Sequence, residues 1–100
     1  MMASFVIEVD PRELRVPSLS CQGADPSKLH RQISKFGASQ VGMPLIWAYQ
    51  SADDVFVITN GVTRATRMAK LSPGTLVQIE VIGRLNRDCA ALPSIGDLLP

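Results

Sequence analysis

A strand, a glycine-containing turn and a helix follow one another directly in the middle of this chain, and this order most constrains its fold. The run Val55 to Ile58 is uninterrupted β-branched and aromatic sequence, which predicts a buried strand. Residues 62–71 carry small and apolar side chains at helical spacing, which predicts a short helix. Gly61 lies between them, where a tight strand-to-helix turn is required.

The same turn carries groups that suit an anion. The first N–H groups of a helix have no intrahelical partner and carry partial positive charge. Gly61 allows close backbone approach, and Thr63, Arg64, Thr66 and Arg67 add side-chain donors. These residues are compatible with a phosphate site. On these residues alone, the favoured alternative is a tight turn that carries two solvated arginines.

Composition limits the classes of function. The chain has 100 residues, of which 46% are hydrophobic, so we expect one domain with a real core. The formal net charge of +1 provides no broad electrostatic surface for nucleic acid. Any positive potential must therefore be local, near Arg64, Arg67 and Lys70.

The cysteine and histidine residues do not form a recognisable site. Cys21 and Cys89 are far apart and lack CxxC spacing, so we expect no metal site. Free thiols in a reducing compartment are favoured over a single disulfide. His30 lies in a predicted helix, and a solvated or structural role is favoured over a catalytic one. We predict no catalytic thiol.

Membrane and secretory signals are not apparent in the sequence. No apolar run approaches the length that spans a bilayer, and Met1 does not begin a recognisable secretory signal. We therefore expect a cytoplasmic protein without a membrane partner.

The remaining elements complete an α+β domain. Alternation predicts strands over residues 4–9, 45–49 and 76–82, and Val55–Thr59 pairs with the second of these as a hairpin. Asp25-Pro26 predicts a helix start, and Gly37 predicts its end after Phe36. The expected fold is a single domain over residues 1–100, a small mixed sheet of about four strands with two helices.

Two segments have no predicted regular structure. Residues 11–24 are rich in proline, glycine and serine and are expected to form a long connection that suits binding contacts. Residues 83–100 are too apolar for a solvated linker. We expect this tail to pack on the domain or on a protein partner.

The order of these pieces resembles the N-terminal domain of ParB-like proteins, in the ParB/sulfiredoxin superfamily. The likeness spans about residues 5–82 and includes the Ile33-x-x-Phe36-Gly37 helix end, the strand Pro44-Leu45-Ile46-Trp47 and the Gly61-x-x-Arg64 turn. It implies that Asn60, Gly61, Thr63, Arg64 and Arg67 bind nucleotide or nucleic-acid phosphate, Gly61 and Arg64 being the strict matches. A nucleotide with Mg²⁺ is the implied cofactor.

Departures from the family pattern leave catalysis open. Val62 stands where many members have an acidic residue after the glycine, and Asn60 stands in place of a frequent aspartate. Neither cysteine lies in the loop that carries the reactive cysteine of sulfiredoxins. Nuclease or nucleotide hydrolase activity therefore has no assigned catalytic residue. The alternatives are a catalytically inactive protein-interaction domain and a toxin-type effector module, which would be secreted.

Two further pairs of side chains are open to two interpretations each. Asp53 and Asp54 suit either a metal ion or a solvated hairpin turn, and the turn is favoured. Trp47 and Tyr49 share one face of a predicted strand and suit either stacking on a base or covering the sheet, which is favoured.

Overall fold

A computed structural model describes residues 4–17 and 23–99 of the chain. Four strands form one mixed sheet in the order β1-β4-β2-β3, and two helices pack with it. The strands are β1 (Phe5–Val9), β2 (Ile46–Gln50), β3 (Phe56–Asn60) and β4 (Val77–Arg84), and the helices are α1 (Pro26–Phe36) and α2 (Val62–Leu71). The predicted α+β class is confirmed.

The last strand lies in the interior of the sheet. β4 pairs antiparallel with β1 and parallel with β2, and β2 pairs antiparallel with β3 as a hairpin. Parallel neighbours need a crossover connection, which here consists of β3 and α2. Val77, Ile79 and Val81 of β4 are buried while Gln78 is exposed, so the alternation predicted from the sequence is confirmed.

Local sequence explains where the helices begin and end. The Asp25 carboxylate caps α1 by accepting hydrogen bonds from the backbone N–H groups of Ser27 at 2.8 Å and Lys28 at 3.3 Å. The chain leaves α1 at Gly37, where φ is +57°. Helix α2 buries Ala65, Met68 and Ala69 against the sheet, as its pattern predicts.

The connection before α1 contributes to the core, which its proline, glycine and serine content does not indicate. Leu14 is 1% exposed and Val16 is completely buried. Between them, Arg15 donates its N–H to the carbonyl of Phe56 at 2.8 Å and accepts from the N–H of Ile58 at 2.9 Å. This backbone pairing covers the outer edge of β3. Cys21 and the rest of residues 18–22 lie outside the described residues.

The tail after β4 packs against that same connection. Val16 donates its N–H to the carbonyl of Pro93, and Ile95 donates to the carbonyl of Leu14, both at 2.8 Å. The Ile95 side chain is completely buried. Residues 93–95 are therefore part of this domain's packing. Among the described residues, no helix has the length and apolar character needed to span a membrane.

Hydrogen bonds to Asp53 join the β2–β3 turn to residues 89–90, at the start of the tail that follows β4. Its carboxylate accepts hydrogen bonds from the Ser51 hydroxyl, from the Cys89 N–H at 3.0 Å and from the Ala90 N–H at 2.9 Å. The Ser51 hydroxyl, followed by the Cys89 N–H, lowers the pKa of Asp53 to about 2. Within residues 4–17 and 23–99, no group of three metal-ligating side chains is present. The Asp53 carboxylate therefore has a structural role in this turn.

We predict that Asp53→Asn destabilises the fold in a pH-dependent way. The native pKa of about 2 lies below the ordinary 3.8, so the ionised carboxylate stabilises the native state above pH 3.8. That stabilisation is lost as the pH falls through about 2. The difference in melting temperature between wild type and Asp53→Asn should be largest at neutral pH and should narrow in acid. Asp88→Asn, on the exposed turn nearby, is the control. A constant difference from neutral pH to pH 2 would contradict this prediction.

Candidate functional site

The turn between β3 and α2 requires glycine for two reasons. Gly61 has a φ of +114°, a conformation that side chains rarely adopt. A Cβ atom there would lie 2.9 Å from Nη2 and 3.1 Å from Nε of Arg64, and 3.1 Å from Cγ1 of Ile46. The Arg64 guanidinium therefore lies directly against the backbone of the turn.

The N-terminus of α2 is open to an anion. Among the described residues no side chain caps it, and its first turn contains no acidic residue. Helix α1 differs, because the Asp25 carboxylate satisfies its first N–H groups. The first N–H groups of α2 thus keep their partial positive charge for an external acceptor.

Four of the five predicted phosphate-binding residues line one cavity of about 310 Å³, which we call the turn cleft. Asn60, Gly61, Thr63 and Arg64 of the β3–α2 turn line it. Its other lining residues are Pro17, Lys28, Gln32, Ile58, Thr59 and Val62. Lys28 of α1 adds a second cation to the turn cleft. No local sequence motif indicates this position, because only the packing of α1 beside α2 brings Lys28 to the cleft.

Arg67, the fifth predicted phosphate-binding residue, does not line the turn cleft. Its side chain is 1% exposed, and Nη1 donates to the backbone carbonyls of Gly37 and Ser39, both at 2.8 Å. Nη2 contacts Sδ of Met43 at 3.2 Å. The guanidinium also lies 5.6 Å from the centre of the Phe36 ring. The interpretation of two solvated arginines is therefore wrong for Arg67.

Arg64 lies between the turn cleft and a second cavity. Its Nη2 donates to the carbonyl of Leu45 at 3.3 Å. Burial lowers the pKa of both Arg64 and Arg67 from the ordinary value, because desolvation disfavours the charged form. Their hydrogen-bond partners among the described residues are carbonyls and a thioether, with no carboxylate. Both charges remain without a counter-ion there.

The two aromatic residues of β2 have different surroundings. Trp47 is 45% exposed and lies opposite Asn60 in the β2–β3 register. Tyr49 covers Gly83, where an added Cβ would lie 2.7 Å from Cε1 of the ring. Tyr49 therefore covers the sheet, which is the favoured interpretation. Stacking of a base on Trp47 stays a prediction. Trp47 pairs with Asn60 of β3, and Asn60 lines the turn cleft.

The turn cleft carries binding groups but no general base. Within residues 4–17 and 23–99, its lining includes no aspartate, glutamate, histidine or cysteine. Val62 lines it at the position after the glycine. A cation, helix N–H groups and hydroxyl or amide donors can hold a phosphate, whereas hydrolysis also requires a group that orients and deprotonates water.

Comparison with known proteins gives no relative for this chain. No protein-family model, no curated protein and no solved structure matches it. The geometry of the turn cleft is therefore the basis for proposing a function.

We predict that Arg67→Ala destabilises the fold more than Arg64→Ala does. Arg67→Ala removes the charged donor from two backbone carbonyls, those of Gly37 and Ser39, in a partly buried contact. A hydrogen bond to a charged group contributes about 1.5–3 kcal/mol, so we expect a loss of about 3 kcal/mol or more. Arg64→Ala removes one longer bond and should cost about 1 kcal/mol.

Urea unfolding of both variants measures this difference. Arg67→Lys serves as a second variant, because an ammonium keeps the charge but cannot reproduce the planar fork that bonds two carbonyls. We expect its stability to lie between those of wild type and Arg67→Ala. Equal stability of Arg67→Ala and Arg64→Ala would show that the buried guanidinium does not hold the loop after α1.

Proposed function

We propose that this domain binds a nucleotide or nucleic-acid phosphate in the turn cleft. The observation that carries the proposal is that Asn60, Gly61, Thr63 and Arg64 line one cleft at an uncapped helix N-terminus. A phosphate there would accept hydrogen bonds from the first N–H groups of α2 and from the Arg64 guanidinium. Lys28 of α1 adds a second positive charge to the lining of the cleft.

Charge balance supports an anionic ligand. The turn cleft holds Lys28 and Arg64, and its lining among the described residues has no carboxylate to neutralise them. The Arg64 guanidinium has lost part of its hydration, and an anion in the cleft would offset that loss. The net charge of +1 makes an extended nucleic-acid interface less favourable than one local phosphate contact.

We also propose that this domain is related to ParB-like proteins, on the basis of the residues of the Gly61-x-x-Arg64 turn. In that case Mg²⁺ would accompany the nucleotide phosphates. The turn cleft supports binding without hydrolysis, because the described part of its lining provides donors and charge but no base. A catalytically inactive interaction domain is therefore the second candidate, and the valine at position 62 favours it.

We predict that Gly61→Ala abolishes phosphate binding while Gly74→Ala does not. Both glycines have positive φ, +114° and +84°, so alanine introduces backbone strain of about 1–2 kcal/mol at each. Only at Gly61 would the new Cβ displace Arg64, since nothing lies within 4 Å of a Cβ at Gly74. Calorimetric titration with ribonucleoside mono- and triphosphates, with and without Mg²⁺, measures the difference. Equal loss in both variants would argue against the site.

We predict that Arg64→Ala weakens binding of the same nucleotides by about ten- to a hundredfold. A charge-assisted contact contributes roughly 1.5–3 kcal/mol, which corresponds to that range. Lys70→Ala, which removes an exposed cation from the last turn of α2, is the matched control and should bind as wild type does. Equal affinity of all three proteins, or no binding by wild type, would overturn the proposed function.

A further inference from the structure

The two edges of the sheet are protected differently. The outer edge of β3 is covered, because Arg15 pairs its backbone with Phe56 and Ile58. At the opposite edge, β1 pairs with β4 alone among the described residues. The backbone N–H and C=O groups on the outer side of β1 therefore have no strand partner within residues 4–17 and 23–99.

Strand β1 also lacks the features that normally prevent an edge strand from pairing. Natural proteins protect such edges with proline, lysine or a β-bulge. Phe5–Val9 contains no proline and no lysine, and its register with β4 is continuous. Two of its apolar side chains are exposed, Phe5 at 43% and Val6 at 50%. The strand thus presents backbone groups and apolar surface that another strand would cover.

The sequence of β1 complements itself when two copies run antiparallel. A two-fold axis perpendicular to the sheet at Ile7 pairs all of Phe5–Val9 with the same strand of a second copy. In that register Phe5 lies opposite Val9 of the second copy on the helix-facing side of the sheet. Val6 lies opposite Glu8 of the second copy on the other side. The apolar residues therefore meet one another, and the two Glu8 carboxylates stay apart.

Moving the axis to either neighbouring residue removes this match. An axis at Glu8 places the two Glu8 carboxylates directly opposite one another, and like charges in that arrangement are destabilising. An axis at Val6 pairs only Phe5, Val6 and Ile7 within the bounds of the strand. The axis at Ile7 is therefore the one that pairs the whole strand and separates the acidic groups.

We propose that two copies of this chain associate through β1 as an antiparallel pair centred on Ile7, which joins their four-stranded sheets into one continuous sheet. Backbone hydrogen bonds between the two β1 strands provide most of the attraction. Phe5 and Val9 of the two copies cover one another beside the core. A pair of five-residue strands buries less surface than an obligate interface does, so the dimer dissociates at roughly micromolar concentrations.

This dimer is independent of the proposed phosphate site. Strands β1 and β3 are opposite edges of the sheet, and no residue of β1 lines the turn cleft. Each copy therefore keeps its own cleft accessible. A monomer that binds phosphate would overturn the dimer alone, whereas a dimer that binds no phosphate would overturn only the proposed function.

Sedimentation velocity of the wild-type protein between about 10 µM and 1 mM tests the association. The sedimentation coefficient should rise with concentration to that of a dimer. A monomer throughout this range would overturn the proposal and would leave β1 as an edge for the strand of another protein.

Opposite charges at position 6 test the register. Val6→Lys places an ammonium group opposite Glu8 of the second copy, whereas Val6→Glu places a carboxylate there, and each contact occurs twice in the dimer. Opposite charges across a strand pair are stabilising and like charges destabilising, so Val6→Lys should dimerise about tenfold more tightly than Val6→Glu. Equal dissociation constants would overturn the register.

The control for these variants makes the same changes elsewhere. Val41 is 87% exposed and lies outside the sheet, so Val41→Lys and Val41→Glu should both dimerise as wild type does. Val6 also lies opposite Glu80 in its own sheet. Urea unfolding of each Val6 variant therefore verifies that it is folded before its dimerisation is measured.

Engineered cysteines locate the axis without adding charge. In a Cys21→Ser background, where Cys89 is buried, Ile7→Cys places two thiols opposite one another. Their Cα atoms would lie about 4.5–5.5 Å apart, which a disulfide spans. Val9→Cys is the matched control on the same face of β1, because its two copies would lie about 13 Å apart. Mild oxidation should link Ile7→Cys into covalent dimers and leave Val9→Cys unlinked. Equal linking of both variants, or of neither, would overturn the axis at Ile7.

Discussion

The buried guanidinium of Arg67 is the interaction on which the rest of the helical layer depends. It joins α2 to the segment after α1 through two carbonyls, those of Gly37 and Ser39. Gly37 ends α1, so the contact fixes where α1 stops relative to α2. Both cavities lie between these helices, and Gln32 and Arg64 line both of them. Arg67 therefore contacts the loop that follows α1, one of the two helices that line the turn cleft, although Arg67 does not line the cleft itself.

Helical periodicity explains why two arginines three residues apart have different roles. Residues separated by three positions lie on neighbouring parts of one helix face. Arg64 is in the first turn, where Gly61 provides room for its guanidinium against the backbone. Arg67 lies about one turn further along α2, beneath the loop after α1, where the carbonyls of Gly37 and Ser39 accept its hydrogen bonds. Position along α2 therefore places Arg64 in the lining of the turn cleft and Arg67 in contact with the loop after α1.

Local signals predicted the elements of this fold, whereas contacts between distant segments were not predictable. Asp25-Pro26, Gly37 and the alternation of β4 act within a few residues, and the structure bears them out. The insertion of β4 beside β2 and the burial of Leu14 depend on pairings across the chain. The same limit applies to the candidate site: the turn residues were predicted from their order, but Lys28 comes from α1 and the buried state of Arg67 depends on carbonyls thirty residues away.

Arg64 and Arg67 carry partly desolvated charges that have no counter-ion among the described residues. Burying a guanidinium is unfavourable unless charge and hydrogen bonds compensate it. Two carbonyl acceptors offset part of this burial cost for Arg67, whereas the one carbonyl, at 3.3 Å from Arg64, offsets less of the cost for Arg64. The two carbonyl bonds therefore account for Arg67 as part of the fold. Arg64 keeps the larger uncompensated cost, and the anion that we propose for the turn cleft would offset it.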